Sequence, residues 1–283
     1  METHIAADTE PTLARKETDL ASWLAARASV AIGFSGGVDS TYLAVMARLT
    51  LGADRVLAII GRSPSYPAAQ WAAARDVARS FDVPVFELDT AELEDPRYAA
   101  NPSNRCYFCK TELWGKLVPV ARARGFETVV DGTNADDLTD WRPGAQAARE
   151  NGVASPLAEL GFSKRDIRDA SRRLDLPTWQ QPSSPCLSSR LPYGIEVTAA
   201  RLEQIERGEE ALRALGITGD VRVRYHDELA RVELGPEELT RWLEPERFAA
   251  LRGALVGAGF ARVALDLRGF RSGSLNVLHG VAQ

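Results

Sequence analysis

The sequence predicts an α/β protein in which a parallel sheet carries helices on both faces and is followed by a smaller α+β unit. Three observations lead to this prediction. Short apolar runs alternate with helical segments over the first half of the chain. A glycine-rich turn follows the first apolar run. A stretch rich in proline and serine, residues 177–192, then separates this alternation from a second set of strands and helices.

The elements of the first unit follow from the spacing of apolar residues. Four short apolar runs bounded by turn residues are predicted to be strands: 29–34, 55–60, 83–88 and 127–131. Three segments with apolar residues at helical spacing are predicted to be helices: 41–51, 67–81 and 106–125. Residues 1–16 are polar and are predicted to form a loose leader. Ligands of such a sheet bind at the carboxyl ends of its strands, so the loops there are the candidate site.

The second unit is predicted to be a small α+β arrangement. Its predicted helices and strands are, in chain order, 198–215, 220–225, 229–234, 244–257 and 262–266. The change in composition places the boundary inside the proline- and serine-rich stretch. We therefore predict two domains, residues 17–185 and residues 186–283.

Composition excludes several classes of function. The chain has 283 residues, a net charge of −5 and three cysteines. This acidic balance gives no footprint for non-specific nucleic-acid binding. No apolar run reaches the about 18 residues that a membrane span needs. An odd number of cysteines rules out a full disulfide framework, and together with a polar amino terminus it predicts a cytoplasmic protein.

The most specific motif is a six-residue loop between the first strand and the first helix. It reads Ser35, Gly36, Gly37, Val38, Asp39, Ser40. Two glycines allow a tight turn and close approach to a ligand, and the helix N-terminus offers N–H donors to an anion. The two serines add hydroxyl donors, while Asp39 is suited to orienting the loop or to a phosphate-bound Mg²⁺. The loop therefore predicts a nucleotide-phosphate site, although it lacks the Lys of a Walker A motif.

Residues after the other strands extend this candidate site. The segment 131–137 follows the fourth strand, where Thr133 is a candidate cap and its acids are candidate metal ligands. Arg142 offers a guanidinium suited to phosphate. Ser63, directly after the second strand, is a candidate contact to adenosine. An acidic, solvated helix start is the alternative interpretation of the segment 131–137.

The three cysteines form a second candidate site. Cys106 and Cys109 are spaced so that both sulfurs face one side of a helix start, and Cys186 lies in the proline- and serine-rich stretch. Three thiols are compatible with a metal site, with a redox pair plus one thiol, or with one nucleophile. A zinc site would need a fourth ligand, and none of the three histidines has ligand spacing. A three-cysteine site suits an iron–sulfur cluster with one open iron.

These motifs resemble those of a known family. The six-residue loop resembles the SGGxDS signature of the PP-loop ATP pyrophosphatases. The segments NPSNRCYFCK at 101–110 and PCLSSRLPYG at 185–194 resemble the LarE family of ATP-dependent sulfur transferases. The similarity runs from about residue 18 to residue 270. It implies a PP-loop domain followed by a smaller C-terminal domain for substrate binding and oligomerisation.

The resemblance also implies a reaction. Such an enzyme uses ATP and Mg²⁺ to adenylate a substrate carboxylate, that of pyridinium-3,5-biscarboxylate mononucleotide, with release of pyrophosphate. Sulfur at the position of Cys186 then displaces AMP and forms a thiocarboxylate, in biosynthesis of the nickel-pincer nucleotide cofactor. Single-cysteine members give up the sulfur of that cysteine. Three-cysteine members are thought to hold a [4Fe–4S] cluster, so Cys106, Cys109 and Cys186 are its candidate ligands here.

Five further residues are candidates for the substrate and a second metal. Arg222 and Arg224 are two apart on a predicted strand, so both point to one face, where an anion would relieve their repulsion. The resemblance assigns them to the substrate phosphate, and it assigns Glu210 and Glu233 to a metal site. Arg190, four residues after Cys186, is a candidate for steering an anionic substrate. A salt-bridged strand face is the alternative interpretation of the arginine pair.

Three other functions remain open from the sequence. An ammonia-dependent amidotransferase of the NAD synthetase type would share the phosphate loop but would not need the cysteines. A PP-loop enzyme that thiolates tRNA would use three cysteines, but the net charge of −5 disfavours it. A nucleotide-sensing module would bind ATP without releasing pyrophosphate. We expect a small-molecule nucleotide as substrate, no nucleic acid, no membrane partner, and a homo-oligomer that the resemblance implies to be a hexamer.

Overall fold

Four parallel strands form the first sheet, in the order β3-β2-β1-β4. The strands of this computed structural model are β1 Val30–Gly33, β2 Val56–Arg62, β3 Val85–Asp89 and β4 Thr128–Val130. Residues 12–138, 142–182 and 184–271 are described. The chain adds β2 and β3 on one side of β1 and then returns to place β4 on the other side. The topological switch point therefore lies between β1 and β4, where sheets of this kind bind ligands.

Helices cover both faces of this sheet. The helices of the first unit are α1 Leu13–Ala25, α2 Val38–Leu51, α3 Ala68–Ser80, α4 Pro96–Ala99, α5 Arg105–Ala123, α6 Pro143–Glu150, α7 Pro156–Glu159 and α8 Lys164–Arg173. Alternate residues of β1 face different cores: Ile32 packs with α2 and α8, whereas Ala31 packs with α5 and α6. Burial on both faces explains why β1 and most of β2 are continuous apolar runs.

The second sheet has three strands in the order β5-β6-β7. The remaining elements are α9 Ala199–Ala214, β5 Val221–His226, β6 Leu229–Leu234, α10 Pro236–Trp242, α11 Pro245–Gly257 and β7 Arg262–Leu265. β5 and β6 are antiparallel, whereas β6 and β7 are parallel. This arrangement confirms the predicted fold class, a parallel α/β sheet with a smaller α+β unit.

The predicted strands and long helices are confirmed, with ends that shift by a few residues. The longest helix that the sequence does not predict is α1. The predicted loose leader extends to residue 16, whereas the helix begins at Leu13. The start of that predicted leader, residues 1–11, lies outside the described residues. The buried face of this helix consists of Leu20, Leu24 and Lys16. Because lysine is counted as polar, this face does not stand out as an apolar stripe in the sequence.

The core of the second unit includes side chains from the first. Tyr98 of α4 is buried in it, and Phe108 and Cys109 of α5 pack against it. The predicted boundary between residues 185 and 186 stays a prediction, and the apolar core of the second unit crosses it. Among the described residues, no helix is both long enough and apolar enough to cross a membrane.

Candidate functional site

The predicted phosphate loop closes on itself between β1 and α2. The Ser35 and Ser40 hydroxyl oxygens lie 3.2 Å apart, and the Gly37 N–H donates to the Ser35 hydroxyl at 3.4 Å. Gly36 has φ +67°, and a side chain there would strike the Cβ of Ala74 at 2.5 Å. Gly37 caps α2 without a side-chain hydrogen bond. The first turn of α2 therefore presents its N–H groups and its positive dipole end to an anion.

The loop that follows β4 lies against the phosphate loop. A Cβ atom on Gly132 would come within 2.9 Å of the Ser40 nitrogen, so the two backbones touch. Asn134 donates from its amide to the Asp39 carboxylate at 3.4 Å. These contacts are made across the switch point between β1 and β4. The structure thus brings together the two segments that the sequence placed at the carboxyl edge of the sheet.

Lys164 is a residue of this site that the sequence analysis missed. Its Nζ lies 2.5 Å from the Asp39 carboxylate, and its backbone N–H donates to Asp136 at 2.8 Å. Lys164 is the first residue of α8, whose N-cap Ser163 forms a capping box. The capping residues signal a helix start in the sequence. Nothing in the sequence signals that this helix starts beside the phosphate loop, over a hundred residues away.

The other predicted residues after β4 shape the loop. Thr133 donates from its N–H and its hydroxyl to Asp131, at 3.1 and 2.9 Å. Arg142 pairs with the Asp137 carboxylate at 2.7 Å. Burial raises the pKa of Asp137, although its hydrogen bond from Asn134 and the charge of Arg142 oppose that shift. Asp131 and Asp137 thus already accept hydrogen bonds or pair with a cation inside this loop. Arg142 stays half exposed next to the candidate phosphate site.

Ser63 lies beside a recess at the ends of β2 and β3. The recess has a volume of about 320 Å³ and is lined by Arg62, Ser63, Pro64, Asp89 and Thr90. The hydroxyl of Ser63 donates to the buried carboxylate of Glu92 at 2.5 Å, and Thr90 donates to the same carboxylate at 2.8 Å. Ser63 is therefore placed at a cavity, as an adenosine contact would require, but with its hydroxyl already bonded.

Cys186 lies in a loop that α4 and α5 hold in place. We call residues 184–195 the sulfur loop. Cys186 immediately precedes a 3₁₀ turn, Leu187–Arg190. The Tyr98 hydroxyl lies 2.7 Å from that of Ser188, and Arg105 donates to the Ser188 carbonyl at 2.9 Å. Asn101, fully buried, donates to the carbonyls of Pro192 and Ile195 at 2.7 and 2.9 Å.

The three cysteines lie near one another. Burial raises the pKa of the Cys106 thiol, and the nearby charge of Cys186 adds to the shift. Burial also raises the pKa of the Cys109 thiol, to which Glu92, Cys186 and Cys106 add. All three are free thiols; Cys106 is exposed, and Cys109 and Cys186 are partly exposed.

The three cysteines are also the candidate ligands of a metal group. Among the described residues, no three His, Cys, Asp or Glu side chains are close enough to hold one metal ion. An iron–sulfur cluster on the three cysteines therefore stays a prediction of the sequence. Arg105, buried beside Cys106 and Cys186, supplies a positive charge that opposes the rise in the pKa of Cys106. Such a charge suits anionic sulfur ligands.

Arg190 is bound within the protein rather than open to a substrate. Its side chain is 2 % exposed and forms a two-pronged ion pair with Glu209, at 2.8 and 2.9 Å. It also donates to the carbonyl oxygens of Pro185 and Cys186, at 2.6 and 3.1 Å. The expectation was that Arg190 steers an anion to the sulfur. These contacts instead make it a residue that fixes the backbone at Cys186.

Arg222 and Arg224 share one face of β5, as predicted. Both are buried, and Arg224 donates to Glu233 at 2.8 and 3.0 Å and to the Ser189 carbonyl at 2.7 Å. Burial lowers the pKa of Arg222 to about 10, and the charge of nearby Arg190 contributes. Arg222 also lies over the ring of Phe270, 4.8 Å from its centroid. The nearby carboxylates of Glu209 and Asp220 oppose that lowering of its pKa.

The predicted metal pair is not assembled in the described residues. Glu210 is exposed on α9, and its neighbour Glu209 is the residue that points towards β5 and pairs with Arg190. Glu233 is 1 % exposed, and its two oxygens pair with Arg224 and Arg231. Side chains adjacent on a helix point about 100° apart, which explains how neighbouring acids differ in role. Glu209 was therefore missed, because the sequence alone does not show which of two adjacent glutamates on a helix points towards β5.

The comparisons with known proteins agree with this geometry. The NAD synthase family model matches residues 21–101, the part that contains the phosphate loop. An uncharacterized protein of Synechocystis sp. (strain PCC 6803) is 46% identical over 245 residues, 87% of this chain and 91% of that protein. A second uncharacterized protein, from Methanocaldococcus jannaschii, is 28% identical over 243 residues, 86% of this chain and 91% of that protein.

A third relative has a named activity. The pyridinium-3,5-bisthiocarboxylic acid mononucleotide synthase of Lactiplantibacillus plantarum is 34% identical over 265 residues. The matched region covers 94% of this chain and 95% of that enzyme, so both units of the fold are included. The phosphate loop, the sulfur loop and the arginines of β5 all fall within it. The chain is therefore an enzyme that belongs to the LarE family.

Proposed function

We propose that this enzyme is an ATP-dependent sulfur transferase. It adenylates the carboxylate of pyridinium-3,5-biscarboxylate mononucleotide and converts it to a thiocarboxylate, releasing pyrophosphate and AMP. The observation that carries the proposal is the direct connection between the nucleotide site and the cysteine site. The Leu187 N–H, next to Cys186, donates to the Ser65 carbonyl at 2.8 Å, in the loop that follows β2. The sulfur loop is thus attached to the edge of the sheet that holds the phosphate loop.

The residues at the switch point have the chemistry that adenylation requires. A carboxylate is a poor electrophile, and adenylation gives it a good leaving group. In this proposal the phosphates of ATP bind to the N–H groups of α2, to the hydroxyls of Ser35 and Ser40, and to Lys164, which lie together at the switch point. Asp39 orients Lys164 and is placed to approach the Mg²⁺ of the nucleotide, a hard cation that prefers oxygen ligands.

The sulfur loop supplies the second half of the reaction. Cys106, Cys109 and Cys186 would hold a [4Fe–4S] cluster, which when bound supplies an inorganic sulfide as nucleophile. The alternative source is the Cys186 sulfur itself, which would leave dehydroalanine in the chain. In either case Arg190 and Leu187 fix the backbone at Cys186, through bonds of 3.1 and 2.8 Å to Cys186 O and Ser65 O. A fixed backbone holds the sulfur in one place for the attack.

The substrate phosphate is assigned to Arg222 and Arg224 on β5. Arg224 donates to the Ser189 carbonyl, so these guanidiniums lie on the side of β5 that faces the sulfur loop. An anionic group there would offset the mutual repulsion of Arg190, Arg222 and Arg224. The predicted metal pair Glu210 and Glu233 has no part in this proposal, because Arg224 and Arg231 already bind the Glu233 carboxylate.

Anaerobic purification followed by one turnover tests the proposal. We expect iron and acid-labile sulfide with the protein, pyrophosphate release that depends on the pyridinium substrate, and a thiocarboxylate product. The mass of the polypeptide then separates the two sulfur sources. An unchanged mass supports the cluster, whereas loss of one sulfur at Cys186 supports sacrifice of the cysteine. Absence of pyrophosphate release with this substrate would reject the function, and absence of iron would reject the cluster.

An ammonia-dependent amidotransferase and a tRNA thiolation enzyme are less well supported. An amidotransferase has no use for a cysteine loop that is bound by side chains of α4, α5 and β5 and by the Ser65 carbonyl. If replacement of all three cysteines by serine left turnover with ammonia unchanged, that alternative would be favoured. A homo-oligomer, a hexamer by resemblance, and a cytoplasmic location that keeps the thiols reduced belong to the same proposal. Sedimentation of the full chain measures the first of these.

A further inference from the structure

The segment that follows β2 contacts three separate parts of the molecule. We call residues 63–70 the bridge segment. Its Ser65 carbonyl accepts from Leu187 of the sulfur loop at 2.8 Å, and its Tyr66 hydroxyl donates to the Ser35 carbonyl at 2.8 Å. Its Ala68 N–H donates to Glu206 of α9 at 2.6 Å. The bridge segment therefore joins the phosphate loop, the sulfur loop and the second unit.

One side chain of this segment contacts both loops at once. The Gln70 amide donates from Nε2 to the Ser35 carbonyl at 3.4 Å, and its Oε1 accepts from the Ser184 hydroxyl at 3.1 Å. Ser184 precedes Cys186 by two residues. We propose that Gln70 is a positioning residue that transmits nucleotide binding at the phosphate loop to the sulfur loop. The inference rests on the proposed ATP and Cys186 sites and assigns a connection between them.

The peptide bond between Ser35 and Gly36 provides the physical link. A trans peptide unit is planar, so its C=O and its N–H point in opposite directions. The carbonyl of this unit points to Tyr66 and Gln70, and the N–H of Gly36 therefore points away from them. A phosphate group that accepts from the Gly36 N–H fixes the orientation of the whole unit. It thereby fixes the carbonyl to which Gln70 donates.

Gln70 is better suited to this role than its neighbours. Tyr66 binds the same carbonyl, and its other described hydrogen bond goes to the Gln70 carbonyl at 3.4 Å. The bond from Leu187 to Ser65 joins two backbones and does not include the phosphate loop. The 3.4 Å contact from Gln70 to the Ser35 carbonyl is longer than a usual N–H···O hydrogen bond, so it has room to shorten when the peptide turns.

The variant Gln70→Met removes this connection without disturbing the fold. Methionine has nearly the length of glutamine but has neither an amide donor nor an amide acceptor. The Ser35 carbonyl keeps its 2.8 Å bond from Tyr66, and the exposed Ser184 hydroxyl turns to water. Gln204→Met is the matched control, since Gln204 donates to the Gly259 carbonyl at 2.8 Å within the second unit.

Hydrogen–deuterium exchange of the full chain, with and without Mg-ATP, tests the inference. In the unchanged protein we expect Mg-ATP to slow exchange in the peptides that cover 35–40 and 184–190. In Gln70→Met, Mg-ATP should still slow exchange in the peptide that covers 35–40. Its slowing of exchange in the peptide that covers 184–190 should fall by about 3- to 10-fold, the range expected for one lost hydrogen bond. Gln204→Met should behave as the unchanged protein. Ser184→Ala should match Gln70→Met, and the double variant should show no further loss.

Several results would overturn the inference. It is wrong if Mg-ATP protects 35–40 in the unchanged protein but leaves 184–190 unaffected, or if Gln70→Met keeps the effect on 184–190. If Mg-ATP protects neither peptide, the proposed nucleotide site fails and this inference fails with it. If both peptides respond and yet no pyrophosphate is released with the pyridinium substrate, the proposed reaction fails while the connection stands.

A second measurement follows the reaction itself. The ratio of pyrophosphate released to thiocarboxylate formed reports adenylate that is lost before sulfur reaches it. We expect this ratio to rise about 3- to 10-fold in Gln70→Met, with the KM for ATP unchanged. A residue that only stabilises the fold would lower both products together and leave the ratio alone. An unchanged ratio would therefore count against the inference.

Discussion

Lys164 and Asp39 form an ion pair between the first turn of α8 and the first turn of α2, with Nζ and Oδ2 2.5 Å apart. The pair places a cation beside the N–H groups that are proposed to bind phosphate. Neither residue is deeply buried, so the pair contributes little to folding and its charge is available to a ligand. At the scale of the single residue, this pair carries the first prediction.

Replacing Lys164 by methionine should weaken ATP binding by about 10- to 100-fold, the loss expected for a hydrogen bond to a charged group. Calorimetric titration with a non-hydrolysable ATP analogue measures the affinity. Lys116→Met is the matched control, because Lys116 pairs with Glu112 at 2.7 Å on the surface of α5. Equal affinity in Lys164→Met and the unchanged protein would remove Lys164 from the site.

Asn101 carries a second prediction at this scale. It is fully buried, has φ +54°, and donates twice to the sulfur loop while Arg105 donates to its side-chain oxygen. Asn101→Gly loses the hydrogen bonds but keeps the backbone freedom. Asn101→Ala loses both, so it should be less stable than Asn101→Gly by about 1 kcal/mol. Denaturant unfolding measures the difference, and equal stabilities would show that the left-handed backbone costs nothing here.

At the scale of the element, α1 shows how a helix docks through one buried charge. Lys16 is 3 % exposed, and its Nζ donates to the Gly161 carbonyl at 2.7 Å and to Asp166 at 2.8 Å. Burial alone would raise the pKa of Asp166. The hydrogen bonds from Lys16 and Ser163 outweigh that effect and hold the pKa below its usual value. The pair therefore links α1 to α8 as long as Asp166 is ionised.

This linkage predicts a pH dependence. A carboxyl whose pKa is lowered by folding stabilises the protein above its unfolded value and loses that contribution as the pH falls through the folded value. Lys16→Met should therefore cost about 1–3 kcal/mol near pH 7, and the difference from the unchanged protein should shrink below about pH 4. Unfolding by denaturant at several pH values measures it. Arg15→Met, on the exposed side of the same helix, is the control. A cost independent of pH would contradict the assignment.

The elements also show what the sequence could and could not predict. The strands β1, β2 and β4 were predictable because each is a short, mostly apolar run, and the phosphate loop was predictable because its six residues are contiguous. The helix α8 was not predicted, because ten residues with four arginines and one lysine leave a narrow apolar side that only Ile167 and Ala170 form. Lys164, Glu209 and Gln70 reach the site from elements distant in sequence, so no local pattern signals them.

At the scale of the whole molecule, the two units share a core and a site. Tyr98 is buried among Leu187, Leu191 and other side chains of the second unit, and its hydroxyl lies 2.7 Å from that of Ser188. Leu93, Phe108 and Cys109 pack against the same core. The sulfur loop is therefore held from both sides. A domain boundary at residue 186 would separate side chains that pack in one apolar core.

This shared core carries the last prediction. A fragment of residues 186–283 should show no cooperative thermal transition, because it lacks the Tyr98 ring and the α5 side chains that complete its apolar core. In the full chain, Tyr98→Ala should cost about 3–5 kcal/mol, the usual cost of removing a buried aromatic side chain, whereas Tyr98→Phe should cost about 1 kcal/mol for the lost hydrogen bond. Circular dichroism during heating and denaturation measures both. A fragment that melts cooperatively near the temperature of the full chain would instead show that residues 186–283 are an independent domain. The position of the sulfur loop would then not depend on Tyr98 and α5.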